Sequence, residues 1–163
     1  MRTPKEMMDL ILTIAREDDR IRAVTMGGSR ANRHCPADVY QDFDIAFYVD
    51  DVTPFWDNME WIEEKFGMPS LCQKPESIEL IPPDRDGNYF YLMIFPDGNR
   101  IDLNVTPEKY EDDGEPMVLL LDKDGTFPAI QIADDHWYVR KPSSKMFADC
   151  CNEFHWCLNN VAK

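Results

Sequence analysis

The segment from Val24 to Val49, VTMGGSRANRHCPADVYQDFDIAFYV, constrains the fold more than any other part of this sequence. It begins with a short apolar run, typical of a strand, that ends at two glycines where the chain can turn. After a polar loop, four apolar residues alternate with polar or small ones, which predicts a second strand with one buried face. The inward-facing set is Phe43, Ile45, Phe47 and Val49.

The second strand opens with two acids, Asp42 and Asp44, that lie on its polar face. Their Cα atoms should be about 6.6 Å apart, so both carboxylates can reach one or two cations. A third acid, Asp102, lies in RIDLNV (100–105), which is predicted to be another strand. If that strand lies beside the first, Asp102 joins the cluster. Oxygen ligands of this kind suit Mg²⁺.

Charge repulsion limits what such a cluster can be. Two carboxylates about 4 Å apart repel by about 4 kcal/mol at an effective dielectric constant near 20. Three acids therefore need a cation or raised pKa values. The turn at Gly28, Ser29 and Arg30 complements the acids, because glycine lets the backbone approach a phosphate closely, and a hydroxyl and a guanidinium can hold its oxygens.

The overall composition narrows the class of protein. With 163 residues, 44% of them hydrophobic, the chain can bury one core. Its net charge of −14 repels nucleic acids and attracts cationic small molecules. No apolar run is long enough to span a membrane, and the N-terminus lacks the apolar core of a signal peptide. Five cysteines without a disulfide pattern predict a reduced, cytoplasmic protein.

Other elements follow from caps and periodicity. Thr3, Pro4 and Glu6 predict a capped helix, and Thr53-Pro54 predicts the start of another that ends at Gly67. Residues 89–95 and 100–106 flank a DG-containing turn and predict a hairpin, and 118–121 predict a short strand.

Pro142-Ser143 predicts the start of a last helix. Its apolar stripe is expected to be buried against another surface. Three covers remain open: the domain itself, a second copy of the chain, or a further C-terminal region.

The order Gly28-Ser29, Asp42-x-Asp44 and a strand Asp102 resembles the polymerase-β-type nucleotidyltransferases. More narrowly, the chain resembles the aminoglycoside 6-adenylyltransferase family over essentially its whole length, through VTMGGSRAN, QDFDIAFYV, QKPE, DGNRIDLNV, LLDKD and ADCCNEFHW. The resemblance implies an α/β (α+β) fold with a mixed, mostly antiparallel sheet flanked by helices in residues 1–142. It also implies that residues 143–163 are the first helix of a C-terminal helical domain.

What the resemblance implies for function is Mg²⁺-dependent transfer of AMP from ATP to a hydroxyl of an aminoglycoside such as streptomycin. Asp42, Asp44 and Asp102 would be the catalytic metal ligands, with Asp102 a ligand or the general base. Gly28, Ser29 and Arg30 would bind the nucleotide, and Lys74, Lys123 and Lys141 are weaker candidates for phosphate contacts. ATP and a cationic acceptor are the implied partners, with no nucleic acid and no membrane.

Two alternatives stay open at this stage. One is a nucleotidyltransferase of the same fold with another acceptor. The other is a non-catalytic module that binds a nucleotide or a partner protein.

Overall fold

The computed structural model describes residues 1–79, 87–107, 115–130 and 141–161. Its helices are α1 (Pro4–Glu17), α2 (Gly28–Ala31), α3 (Met59–Phe66) and α4 (Ser144–Val161). Its strands are β1 (Ile21–Met26), β2 (Phe43–Val49), β3 (Leu71–Gln73), β4 (Tyr89–Ile94), β5 (Arg100–Thr106) and β6 (Val118–Asp122).

The six strands form one sheet in the order β3-β4-β5-β2-β1-β6. Every neighbouring pair is antiparallel except β2 and β5, which are parallel. The predicted fold class, a mixed and mostly antiparallel sheet flanked by helices, is confirmed. Strands β4 and β5 form the predicted hairpin, and β6 pairs with β1 at the edge of the sheet.

One face of the sheet is packed against helices. The four apolar residues predicted to point inward from β2 are all buried, and they share a core with residues of α1 and α3 such as Met7, Ile11 and Ile62. Helix α1 has the predicted capping box, in which the Thr3 hydroxyl accepts from the Glu6 N–H and the Glu6 carboxylate accepts from the Thr3 N–H. This packing leaves the polar residues of β2 and β5 on the opposite face of the sheet.

The predicted helix start at Thr53-Pro54 is wrong. Residues Thr53–Phe55 form a 3₁₀ turn, and α3 begins only at Met59, where the Asn58 side chain caps it by accepting from the Trp61 N–H at 3.0 Å. The buried Tyr91 hydroxyl fixes this break, because it donates to the Phe55 carbonyl and accepts from the Asn58 N–H. A tertiary contact from β4 thus overrides the helix-start signal.

Two elements were not predicted. Strand β3 is three residues long and, among the described strands, pairs only with β4, and α2 is a single turn inside a segment expected to be a loop. Both are too short to show a periodic pattern.

Helix α4 begins where Pro142-Ser143 predicted, with the Ser143 hydroxyl accepting from the Met146 N–H at 3.1 Å. None of its described residues is buried. Among the described helices, none is both long and apolar enough to cross a membrane. The division at residue 142 remains a prediction.

Candidate functional site

The three predicted acids meet on the face of the sheet that α1 and α3 do not cover. Because β2 and β5 are parallel and adjacent, Asp44 and Asp102 are direct cross-strand partners, and Asp42 lies just before β2. Each acid offers a carboxylate oxygen, and these three atoms lie within 4.8 Å of one another. The sequence predicted this cluster on the condition that the strand of Asp102 lies beside the strand of Asp44. The pairing of β5 with β2 meets that condition.

Within the cluster, the carboxyl group of Asp44 has a strongly raised pKa. Burial, which is the largest cause, and the neighbouring carboxylates of Asp42 and Asp102 together raise the pKa of the Asp44 carboxyl from 3.8 to about 6. A bound cation would oppose all three effects. The cluster is therefore electrostatically unbalanced on its own and favours a positively charged ligand.

Part of the negative charge is balanced by Arg100, which the sequence analysis did not single out. Its Nε and Nη2 donate to the two carboxylate oxygens of Asp102 at 2.8 and 2.5 Å, and Nε lies 3.5 Å from a carboxylate oxygen of Asp42. The signal was present in the sequence, because residues two apart on a strand share a face. Arg30 also acts on Asp44, but more weakly than Arg100, and the three acids still leave an excess of negative charge.

Gly28 must be glycine for two independent reasons. Its φ of +64° is disfavoured for other residues, and a Cβ built there would lie 1.9 Å from a carboxylate oxygen of Asp44. The neighbouring Gly27 N–H donates to the Asp44 carbonyl at 2.8 Å. The glycine turn thus lies directly against the acid cluster, and Ser29 follows it in α2, only partly buried.

Arg30, which the sequence predicted to bind phosphate, makes contacts within the protein that were not predicted. Its Nε and Nη2 donate to the carbonyls of Asp42 and Gln41, both at 2.7 Å, and its guanidinium lies 4.0 Å from the centre of the Phe43 ring. These contacts fix the backbone where the chain enters β2. In the structure, Arg30 therefore positions Asp42 through its main chain.

The weaker lysine candidates lie away from the cluster. Lys74 pairs with Asp57, and the Lys123 ammonium donates to the Asp18 carbonyl at 2.8 Å. Lys141 is exposed. No contact in the described part of the chain links any of the three to the acids.

A cavity of about 280 Å³ opens beside the acids on the same face of the sheet. Asp44 and Asp102 line one side of it, and Phe90, Leu92 and Met117 provide apolar walls. A larger cavity of about 430 Å³ lies at the other end of β2, near Asp122. The Asp122 carboxylate there accepts from backbone N–H groups of its own turn, so it is already committed to local structure.

Comparison with known proteins gives the same family at the level of sequence and of structure. The family model described as streptomycin adenylyltransferase matches residues 1–163. The chain is 43% identical to an aminoglycoside 6-adenylyltransferase of Bacillus subtilis (strain 168), 42% to one of Campylobacter jejuni and 37% to one of Staphylococcus aureus. These matches cover all of this chain but only 59%, 58% and 60% of the relatives.

Among solved structures, the chain is similar to the crystal structure of an aminoglycoside 6-adenyltransferase from Bacillus subtilis. The TM-score is 0.63 at 37% sequence identity, over 94% of this chain and 53% of the other. The resemblance identified from the sequence motifs is confirmed by these matches.

Proposed function

This chain belongs to the streptomycin adenylyltransferase family, and on that premise we propose that it carries the site that transfers AMP from ATP to a hydroxyl of an aminoglycoside such as streptomycin. The observation that carries the proposal is the cluster of Asp42, Asp44 and Asp102, whose carboxylate oxygens lie within 4.8 Å of one another against the backbone of Gly28. The chain spans about 60% of the length of the curated relatives it matches, and the transfer activity is therefore stated as a proposal.

The residues present fit a divalent cation. Three side chains with oxygen ligands converge, and the pKa of the Asp44 carboxyl is raised by burial and by the other two acids, because Arg100 and Arg30 balance the negative charge only in part. Oxygen-only ligand sets suit Mg²⁺ better than softer metals. When bound at Asp42, Asp44 and Asp102, Mg²⁺ would supply charge neutralisation for the phosphates.

The chain's own groups have distinct tasks in this proposal. The backbone at Gly28 and the hydroxyl of Ser29 would hold phosphate oxygens, since the glycine turn lets the ligand approach the main chain closely. Asp102 would serve as a ligand or would accept the proton of the attacking hydroxyl, with Arg100 fixing the orientation of its carboxylate through two hydrogen bonds. Arg30 would hold Asp42 in place through the backbone.

A transfer assay with ATP labelled at the α-phosphate tests the proposal. The chain is incubated with labelled ATP, Mg²⁺ and streptomycin, beside the variants Asp44→Asn and Asp19→Asn. We expect labelled streptomycin from the unmodified chain and a loss of at least about a hundredfold in Asp44→Asn, because even groups that only support metal ligands cost 10- to 100-fold. Asp19 is exposed and distant from the cluster in sequence, so Asp19→Asn controls for the loss of one negative charge.

The same assay separates the alternatives that the sequence left open. Label on a protein or on another small molecule would replace the aminoglycoside acceptor and keep the transfer chemistry. ATP binding without transfer to any acceptor would contradict the enzymatic proposal for this chain. Product formation that survives in Asp44→Asn would contradict the assignment of the site.

A further inference from the structure

Behind the carboxylates, a second row of residues crosses the same face of the sheet. Thr25 of β1 pairs with Ala46 of β2, Ala46 pairs with Asn104 of β5, and Asn104 pairs with Phe90 of β4. This row lies two residues along the strands from the row that contains Asp44 and Asp102. The small side chain of Ala46 lies between the polar side chains of Thr25 and Asn104, and all four residues line the 280 Å³ cavity.

Two polar atoms in this row have no hydrogen-bond partner among the residues that the structure describes. The Thr25 hydroxyl oxygen and the Asn104 carbonyl oxygen Oδ1 are both buried, and neither makes a hydrogen bond within the described parts of the chain. Thr25 as a whole is 1% exposed. Buried polar side-chain atoms almost always have a partner in folded proteins. Two exceptions in one cavity, next to the proposed reaction site, indicate that a ligand supplies the missing hydrogen bonds.

The chemistry of the cavity restricts that ligand. The Asn104 oxygen accepts from an O–H or N–H group, while the Thr25 hydroxyl can donate or accept. The adjacent carboxylates favour a positively charged group, and the walls formed by Phe90, Leu92 and Met117 are apolar. The volume of about 280 Å³ lies just below the range for ligand pockets, which starts at about 300 Å³, so only a small group fits. A single ring that carries hydroxyl and cationic nitrogen substituents satisfies all of these conditions.

The position of the row decides which substrate it contacts. Gly28 and Ser29 lie beyond the end of β1, on one side of the Asp44–Asp102 row, and Thr25 and Asn104 lie on the other side. In phosphoryl transfer, the attacking and leaving oxygens are roughly in line on opposite sides of the phosphorus. With the departing phosphates at Gly28 and Ser29, the row is on the side of the attacking hydroxyl.

We propose that Thr25 and Asn104 bind the ring of the acceptor that carries the reactive hydroxyl. The inference rests on the proposed function for the location of the phosphates. Thr25 and Asn104 are specificity-determining residues in it, since they recognise substituents of the acceptor ring beside the reacting group. A site built to hydrogen-bond such substituents discriminates against rings that lack them, because its buried polar groups would then stay unpaired.

The test compares Thr25→Val, Thr25→Ser and Asn104→Leu with the control Thr106→Val, which changes a threonine on the same face of β5 that does not line the cavity. We expect KM for streptomycin to rise about three- to tenfold in Thr25→Val and Asn104→Leu, the usual effect of one lost hydrogen bond. KM for ATP should stay unchanged, and Thr25→Ser should bind streptomycin like the unmodified chain because it keeps the hydroxyl. Thr106→Val should leave KM for streptomycin unchanged.

A thermal measurement separates binding from a purely structural role. Without ligand, Thr25→Val removes an unpaired buried hydroxyl, so its Tm should rise by about 2 °C while its affinity for streptomycin falls. A structural role of the hydroxyl would lower both. Isothermal calorimetry with streptomycin, in the presence of Mg²⁺, measures the affinity independently of turnover.

The failures of the two proposals are distinguishable. Transfer by the unmodified chain with unchanged KM for streptomycin in both variants would overturn the inference alone and leave water as the partner of both atoms. A rise in KM for ATP in place of streptomycin would also overturn it. Absence of transfer contradicts the proposed function. The inference is then decided by calorimetry, where no saturable binding of streptomycin, or equal affinity in Thr25→Val, overturns it.

Discussion

Asp44 is the residue where stability and the proposed activity conflict most directly. Its carboxyl is partly buried between two other acids, and its pKa is raised from 3.8 to about 6. Arg100 and Arg30 offset this only in part, since their effects on the same pKa are smaller. An ionised Asp44 therefore destabilises the metal-free fold, and a cation held by the cluster would remove that cost.

The pH dependence of this effect has a definite sign. A folded-state pKa above the unfolded value means that the folded chain binds the proton more tightly, so this group's contribution to stability is full below about pH 3.8. It is lost as the pH rises through about 6. In EDTA, Asp44→Asn should thus be more stable than the unmodified chain at pH 8, by about 2 kcal/mol, with the difference fading towards pH 4.

Urea unfolding at both pH values measures this difference, with Asp19→Asn as the exposed control. Equal stability of Asp44→Asn and the unmodified chain at pH 8 would show that the ionised Asp44 carboxylate does not destabilise the metal-free protein. Added Mg²⁺ should stabilise the unmodified chain and leave Asp44→Asn nearly unaffected.

At the level of elements, the junction between the glycine turn and β2 sets the geometry of the site. Arg30, from α2, donates to two successive carbonyls just before β2 and stacks on Phe43, the first residue of that strand. Lysine cannot form two such bonds from one planar group or stack in the same way. Arg30→Lys should therefore keep the positive charge but release the chain that carries Asp42.

We expect Arg30→Lys to raise the Mg²⁺ concentration needed for half-maximal activity by about tenfold, the lower end of what supporting groups around a metal contribute. The KM for streptomycin should change little. A variant with unchanged Mg²⁺ dependence but raised KM for ATP would instead support the phosphate contact predicted from the sequence. Arg16→Lys, on the exposed surface of α1, controls for the exchange of arginine for lysine.

The elements also show what a sequence pattern can and cannot predict. Alternation in β2 and β5 correctly placed the apolar residues inside and the acids on the opposite face, because a strand has a strict period of two. The parallel pairing of β2 with β5, which aligns Asp44 with Asp102, is a property of the whole sheet and is not encoded in either strand alone. The same limit explains why α3 starts later than its cap signal, since Tyr91 of another strand fixes that break.

The site itself was predictable to a similar depth. The acids and the glycine of the site were identified from the sequence, because their residue types and spacing are typical of metal and phosphate binding. These residues are Asp42, Asp44, Asp102 and Gly28. Thr25 and Asn104 carry no such signal, since an isolated threonine or asparagine in a strand is usually a surface residue. Only the register across β1, β2 and β5 shows that they share one cavity and that their polar atoms are unpartnered.

At the scale of the whole molecule, helix α4 exposes an apolar stripe that no other described element covers. Phe147, Phe154 and Val161 repeat every seven residues along one stripe and are 62%, 62% and 85% exposed. Leu158 on the same stripe is 48% exposed. Monomeric proteins rarely leave a contiguous apolar surface of this kind uncovered. The structure does not fold this stripe onto the core, because no residue of α4 is buried.

We therefore expect this 163-residue chain to self-associate through α4, with an average mass in sedimentation that rises with protein concentration. The double variant Phe147→Glu with Phe154→Glu should stay monomeric, because two charges on the stripe would have to be buried without partners. Glutamate is a good helix former, so circular dichroism should show α4 intact in this variant. A double exchange at exposed polar positions of α4 that lie off the stripe, Asn152→Glu with Asn159→Glu, adds the same two negative charges and is the control. If the unmodified chain stays monomeric at high concentration, α4 packs back on its own domain in solution. The backbone amides of the stripe would then be protected from hydrogen exchange in the monomer.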